Sequence, residues 1–221
     1  MRAQLLRLVP EQAASAAGRV IGSIRLRRLL ASTSPPYRVE LGAGTVRREG
    51  WISTDVWRGA RYHLDATGPW PFPPGSVSHV YADNMIEHVP IDGARALLCH
   101  ALKAMRPGGR IRLVTPDVER CAAVYLERGE LAHAQLDAHR GAGTRVEHLV
   151  DILRGVFVEY EHDRGYVWDF ESLSAELDAA GFTSIERCEL ECSDDPVLRG
   201  LESRTLPVDR VTMLAVEALR P

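Results

Sequence analysis

The sequence predicts an α/β fold built on a mostly parallel sheet, and three observations predict it. Short apolar runs alternate with stretches of helical periodicity after Pro36, a glycine turn (Gly42-Ala43-Gly44) closes the first run, and an acid, Asp55, closes the second. Alternation of this kind is the pattern of βαβ units, in which the crossover segments cover strands that are themselves nearly all apolar.

The elements follow in chain order. From Met1 to about Leu30, Leu5, Leu6, Val20, Ile21, Ile24 and Leu29 interleave with Arg19, Arg25, Arg27 and Arg28, which predicts one or two amphipathic helices. Ser32-Thr33-Ser34-Pro35-Pro36 ends them. Arg38 to Leu41 reads as the first strand and Trp51 to Asp55 as the second. The stretch between them, Thr45 to Gly50, is so short that the intervening helix is vestigial or absent. Trp70-Pro71-Phe72-Pro73-Pro74-Gly75 is a rigid loop, after which Val77 to Ala82 reads as another buried strand.

Ile91, Ala94, Leu97, Leu98, Ala101, Leu102 and Met105 recur at three- and four-residue intervals, so residues 91–105 form a helix with one buried face. Pro107-Gly108-Gly109 stops it, and Arg110 to Val114 is a strand that ends at Thr115-Pro116-Asp117, where proline removes a ladder donor. Residues 118–155 are helical in pattern but carry Gly129, Gly141 and Gly143 and mixed polarity, which suits a lid or insertion extending to about residue 168. Asp169 is placed to cap a helix over Phe170 to Ala180, with Glu171 in its first turn and Gly181 beyond its end. Strands at about 183–192 and 210–218 close the chain.

With 221 residues, 45% hydrophobic and 26% charged, the chain has an ordinary globular composition. The expected organisation is a helical segment over 1–34 followed by one domain over 35–221. Residues 1–34 hold six arginines against Glu11, a net of +5, so a total of −3 leaves −8 on the remainder. An acidic body excludes an extended nucleic-acid footprint, which needs clustered Lys and Arg. No apolar run approaches the roughly 20 residues of a bilayer span, and the arginine-spotted N-terminus lacks a secretory core. A cytoplasmic protein without stable membrane insertion is expected; peripheral contact through the basic N-terminal helices, and homodimerisation, stay open. Cys99, Cys121, Cys188 and Cys192 include no C-x-x-C pair and read as buried, reduced thiols.

The chemistry begins at Gly42-x-Gly44, where the chain can turn sharply and approach a ligand closely because neither residue presents a Cβ. Glu40 precedes this turn, and Asp55 ends the next strand, where a carboxylate can accept hydrogen bonds from both hydroxyls of a ribose. Together they predict a site for an adenosine-type nucleoside. Asp65, ahead of the Pro-rich loop, is placed to accept from an adenine amino group.

Glu40-Leu41-Gly42-Ala43-Gly44, Gly50-Trp51-Ile52-Ser53-Thr54-Asp55, Trp70-Pro71-Phe72-Pro73-Pro74-Gly75-Ser76, Glu87-His88 and Arg106-Pro107-Gly108-Gly109 stand in the order of the motifs of small class I S-adenosylmethionine-dependent methyltransferases. The chain resembles the methyltransferase type 11 group in particular, specifically over residues 38–117 and more loosely from Trp168 to Val216. The resemblance implies a Rossmann-like seven-stranded sheet of order 3-2-1-4-5-7-6 with helices on both faces and strand 7 antiparallel. It implies S-adenosyl-L-methionine as cofactor, a cofactor loop at Glu40, Gly42, Ala43 and Gly44, a ribose contact at Asp55 beside Val56, and an adenine contact at Asp65 beside Ala66. Asn84, after the fourth strand, falls where this fold faces the methionine end or the substrate. The chain departs from the family at Ala43, where cysteine is common, and at Ser78-His79, where an aspartate is frequent. The neighbours of Asn84 do not form the Asn/Asp-Pro-Pro-aromatic motif of amino-methylating nucleic-acid enzymes, which argues against that substrate class; a lid-sized insertion without a basic body instead predicts a small-molecule acceptor, an oxygen of a sugar or secondary metabolite.

An oxygen acceptor benefits from a general base, and His88, His148 and His162 are the imidazoles considered, with His88 and His162 taken as the catalytic candidates. No metal is expected, since His133 and His139 are six apart and His162-Asp163 adjoin without a complementary ligand set. Two rival readings remain. An NAD(P)-dependent oxidoreductase would share the glycine turn and strand-end acid, but Arg47 stands where its third glycine belongs. A non-catalytic methyltransferase-like binding subunit would keep the fold without turnover.

Overall fold

The structure, a computed structural model, describes residues 2–141, 143–202 and 207–221, and among these every side chain outside 2–15, 156 and 159–161. The strands are β1 (Tyr37–Leu41), β2 (Ile52–Asp55), β3 (Tyr62–His63), β4 (Val77–Asp83), β5 (Met105–Pro116), β6 (Thr183–Cys188) and β7 (Met213–Leu219). They form one sheet of order β3-β2-β1-β4-β5-β7-β6. Strands β1 to β5 pair in parallel, and β7 runs antiparallel to both β5 and β6.

Alternation along each strand divides the core into two faces. One face carries Val39, Leu41, Val80, Ala82, Ile111, Leu113 and Val216, which pack with Leu97, Leu98 and Ala101 of α2 (Ile91–Ala104) and Leu173 and Leu177 of α6 (Phe170–Ala180). The other carries Tyr81, Val114, Met213 and Ala215 against Leu190, with Trp51 and Leu201 at its margin. Here the residues between β1 and β2 form turns rather than a helix, so the irregular connection after β6 covers the sheet instead.

The N-terminal segment is one helix, α1 (Arg2–Ser32), laid along the β3 edge. Its inward side is not the Val20, Ile21 and Ile24 stripe, all of which are exposed, but Gly22 and Leu26, with Leu29 and Leu30 partly covered. A Cβ at Gly18 would strike the Arg58 carbonyl and one at Gly22 would strike His63, so the glycine pair sets how closely α1 approaches this edge.

Four boundaries differ from the sequence expectation, the first being that β5 begins at Met105 rather than at Arg110. Strand β3 is only two residues, Tyr62–His63, too short to leave a periodic signature. The stretch read as one closing strand from 210 begins in α7 (Pro207–Thr212) and becomes β7 only at Met213. Strand β6 ends at Cys188, and Cys192 lies in the turn beyond it. The stretch expected to be a lid or insertion folds as three helices, α3 (Val118–Glu127), α4 (Glu130–Gly141) and α5 (Asp151–Phe157), followed by a 3₁₀ turn, Glu159–Arg164. Of the cysteines expected to be buried, Cys121 is, whereas Cys99 and Cys192 are exposed. Among the described residues no helix is long and apolar enough to cross a membrane.

Candidate functional site

Parallel strands leave their carboxyl ends at one rim of the sheet, and the crevice there is where α/β folds place ligands. Gly42 ends β1 with φ +65, and a Cβ there would run into the Met85 side chain. Gly44 has φ +56, and its N–H donates to Asp55 Oδ2 at 2.8 Å, while the Trp57 N–H donates to Asp55 Oδ1 at 2.8 Å. Asp55 thus ties the glycine turn to the end of β2. Each carboxylate oxygen retains accepting capacity beyond one such bond.

Below this turn lies a cavity of about 420 Å³. Of the residues predicted for the cofactor, Gly42, Asp55, Val56, Asp65, Ala66 and Asn84 line it, together with apolar Leu41, Leu64, Met85 and Val89. Asp65 Oδ1 accepts from the Thr67 N–H at 3.0 Å and hydroxyl at 2.7 Å, and Trp70 Nε1 donates to the Ala66 carbonyl at 2.9 Å, so this loop is braced from both sides. Glu40, Ala43 and Gly44 are placed differently. Glu40 is buried, accepting from Ser53 Oγ at 2.6 Å and from Arg48 at 3.2 and 3.3 Å; it braces the turn from beneath. The Ala43 N–H donates to the Thr54 carbonyl at 3.0 Å, and Gly44 opens on an adjoining groove with Arg47, Arg48 and Trp57.

A second cavity, of about 380 Å³, lies between the rim and helices α3 to α5, with Cys121, Gln135, His139 and Ile152 among its walls. Asn84 and His88 line both cavities. Asn84 follows β4 in the left-handed region, φ 50, a conformation uncommon outside glycine and tolerated best by Asn and Asp. Burial pushes the Cys121 thiol up to about 12, so it is no thiolate nucleophile at neutral pH.

His88 closes the 3₁₀ turn Ile86–His88, and His162 comes from the 3₁₀ turn after α5; their rings stand 4.7 Å apart at 59°. The third candidate imidazole, His148, lies away from both in an exposed groove with Arg145, Asp151 and Arg154. Glu87 is the residue that sequence reading left out. It is buried, its Oε2 accepts from Thr115 Oγ1 at 3.1 Å, and its side chain stands with His88 and His162 so that one ligand atom of each lies within 4.8 Å of the others. The Tyr166 N–H donates to the Glu87 carbonyl at 3.1 Å, and a Cβ on Gly165 would collide with the same carbonyl, so Gly165 is what lets the lid's end dock here. The Glu87-His88 pair was visible as a motif; its meeting with His162 depends on the lid.

No family model matches the chain, and no curated protein matches it. Among solved structures it is similar to an S-adenosylmethionine-dependent methyltransferase of Thermotoga maritima, with 14% identity, a TM-score of 0.51 and 100% of both chains covered. It is also similar to an S-adenosylmethionine-dependent methyltransferase of Archaeoglobus fulgidus, with 16% identity, a TM-score of 0.49 and coverage of 91% of this chain and 94% of that one. A third similarity is to phosphoethanolamine N-methyltransferase 2 of Haemonchus contortus, solved with S-adenosylhomocysteine, with 14% identity, a TM-score of 0.48 and coverage of 90% and 52%. The chain spans about half the length of the Haemonchus enzymes, 52% and 51% in two structures. The strand order and the Thermotoga likeness together show the class I methyltransferase fold.

Proposed function

We propose that this chain, a class I methyltransferase by fold, binds S-adenosylmethionine in the cavity below Gly42 and Asp55. In this reading it transfers a methyl group to an oxygen of a small molecule, a sugar or secondary metabolite, held in the second cavity. One observation carries the reading: two cavities of ligand size meet at Asn84 and His88, so a donor in one and an acceptor in the other would face each other across these two side chains.

The residues of the first cavity suit the cofactor. Asp55 offers carboxylate lone pairs to a ribose, and Leu64, Ala66 and Val89 supply an apolar wall for an adenine. When bound, the cofactor supplies an electrophilic methyl on a sulfonium, so the chain mainly has to orient an acceptor, which can contribute roughly 7–11 kcal/mol in favourable cases. Gln135 Oε1, buried on the second cavity with no hydrogen-bond partner among the described residues, is available to accept from an acceptor hydroxyl. His88 and His162 stand where that hydroxyl's proton would be taken up. The helices over residues 118–168 serve as the lid, and the methyltransferase type 11 group remains the family this reading assigns.

The oxidoreductase alternative lacks its anchor. A dinucleotide pyrophosphate sits on the N-terminus of a helix following the first strand, and residues 42–51 contain no helix. The names of the solved neighbours include N-methyltransferases and do not set the acceptor atom.

Calorimetry tests the donor. Binding of S-adenosylmethionine or S-adenosylhomocysteine near micromolar, about −8 kcal/mol, is expected, and Asp55→Ala should weaken it about tenfold or more through the lost ribose contact and the loosened Gly44 turn. Absence of binding for either nucleoside would overturn the reading, and binding without turnover on any hydroxylated small-molecule pool would favour the non-catalytic subunit.

A further inference from the structure

The adjacent Glu87 and His88 of one 3₁₀ turn and His162 from a distant segment converge on one wall of the second cavity, and the buried carboxylate sets them apart from an ordinary surface cluster. Glu87 is buried, and His88 and His162 are half-buried. One ligand atom from each lies within 4.8 Å of the other two. Adjacent donors around a zinc-sized ion, at bonds of about 2.1 Å, stand roughly 3 to 3.5 Å apart, so small side-chain rotations close the set.

We propose that Glu87, His88 and His162 form a binding site for a first-row divalent cation, with its remaining coordination positions facing the second cavity. Three protein ligands with open positions is the arrangement of a catalytic rather than a structural metal site. The two-histidine, one-carboxylate set selects transition metals or zinc over magnesium and calcium, which prefer all-oxygen cages. The outer shell is present as well. Thr115 Oγ1, at the carboxyl end of β5, donates to Glu87 Oε2 at 3.1 Å and fixes which way the carboxylate faces. The Glu87 main chain is pinned by the Tyr166 N–H at 3.1 Å, on the segment that follows His162. Lid docking and assembly of the ligand set are therefore one event.

Cation binding itself does not depend on the methyl-donor reading. What the cation serves does rest on that reading: an acceptor hydroxyl taking an open position would lose its proton more readily, the proton passing to solvent. This names the acceptor class as an oxygen compound able to coordinate a cation, and with the cation bound His88 and His162 serve as its ligands in place of the base role they have without it.

The test is titration of the chelator-stripped full chain with cobalt(II), read by visible ligand-field absorption, and with zinc by calorimetry. One ion per chain is expected. His162→Ala and the bulkier His162→Gln should each weaken binding at least tenfold, Thr115→Val should weaken it by roughly 10- to 100-fold if it orients Glu87, and His133→Asn, an exposed histidine of α4, should leave it unchanged. Because His162 does not line the first cavity, S-adenosylhomocysteine affinity should stay within about twofold in the His162 variants. A wild-type chain that binds S-adenosylhomocysteine but no cobalt or zinc overturns the cation site alone. Cobalt binding that survives both His162 variants also overturns it. Cation binding without any nucleoside binding leaves the site standing and removes the methyl-donor reading.

Discussion

The two faces of the sheet are held by different physics. The face toward α2 and α6 is dominated by one apolar cluster, with Leu97, Leu98, Leu113, Leu173, Leu177 and Val216 all fully buried, and its helices satisfy their own backbones. The opposite face buries Arg112 beneath the 189–202 connection. Arg112 donates to Glu202 (2.6 and 3.1 Å), to Glu217 (2.6 Å) and to the carbonyls of Glu189 (3.1 Å) and Cys192 (3.0 Å). Around it, Arg110 pairs with Glu217 at 2.8 Å and His79 with Asp195 at 3.0 Å. An irregular segment buries carbonyls that have no ladder partner, and a guanidinium with five donors can satisfy them where a hydrophobic side chain cannot. Where a helix covers a sheet, oil suffices; where a loop does, donors must come from side chains.

The largest expected effect is on the charged face. Arg112→Ala leaves Glu202 and Glu217 buried without their cation and should cost about 3–5 kcal/mol in urea unfolding; a loss under 1 kcal/mol would show that this face is not organised by its ions. On the apolar face, Leu97→Ala should cost about 3 kcal/mol by lost burial and cavity formation, independent of salt. The smallest effect concerns the capping of α6, which packs on that same face. Asp169 accepts from the Ser172 N–H at 2.8 Å and hydroxyl at 2.6 Å, and these bonds hold its carboxyl below the usual aspartate range. A folded-state pKa lowered in this way contributes stability above the unfolded value, and the contribution disappears as the pH falls through the folded one. Asp169→Ala should therefore cost about 1 kcal/mol at neutral pH, and the gap to wild type should close on acidification; a gap that persists in acid would show that the cap works without its charge.

Much of the apolar face was legible in the sequence. Val77 to Ala82 and the 91–105 periodicity became β4 and α2 to within a residue or two, because a run buried on both faces and a three-four repeat are local signals. The crevice at the strand ends was legible for a similar reason: Gly42 and Asp55 lie at the ends of adjacent parallel strands, and Val39 pairing Ile52 sets their proximity as soon as those strands exist. The charged face was not legible. Arg110 and Arg112 were read as strand residues, but nothing local says that Glu202 and Glu217 will meet Arg112.

The amino-acid order by itself determined most strands and helices, β3 and α7 apart, where β1 turns, and that an acid stands beside that turn, since each follows from neighbours within a few positions. Tertiary structure alone decided that Glu40 would brace the turn rather than face the first cavity, that α1 would turn Gly22 and Leu26 inward, and that Glu87 would stand with His88 and His162. Those outcomes depend on contacts across long stretches of chain. The bond from the Tyr166 N–H to the Glu87 carbonyl, in the space that Gly165 leaves, joins two such separated segments.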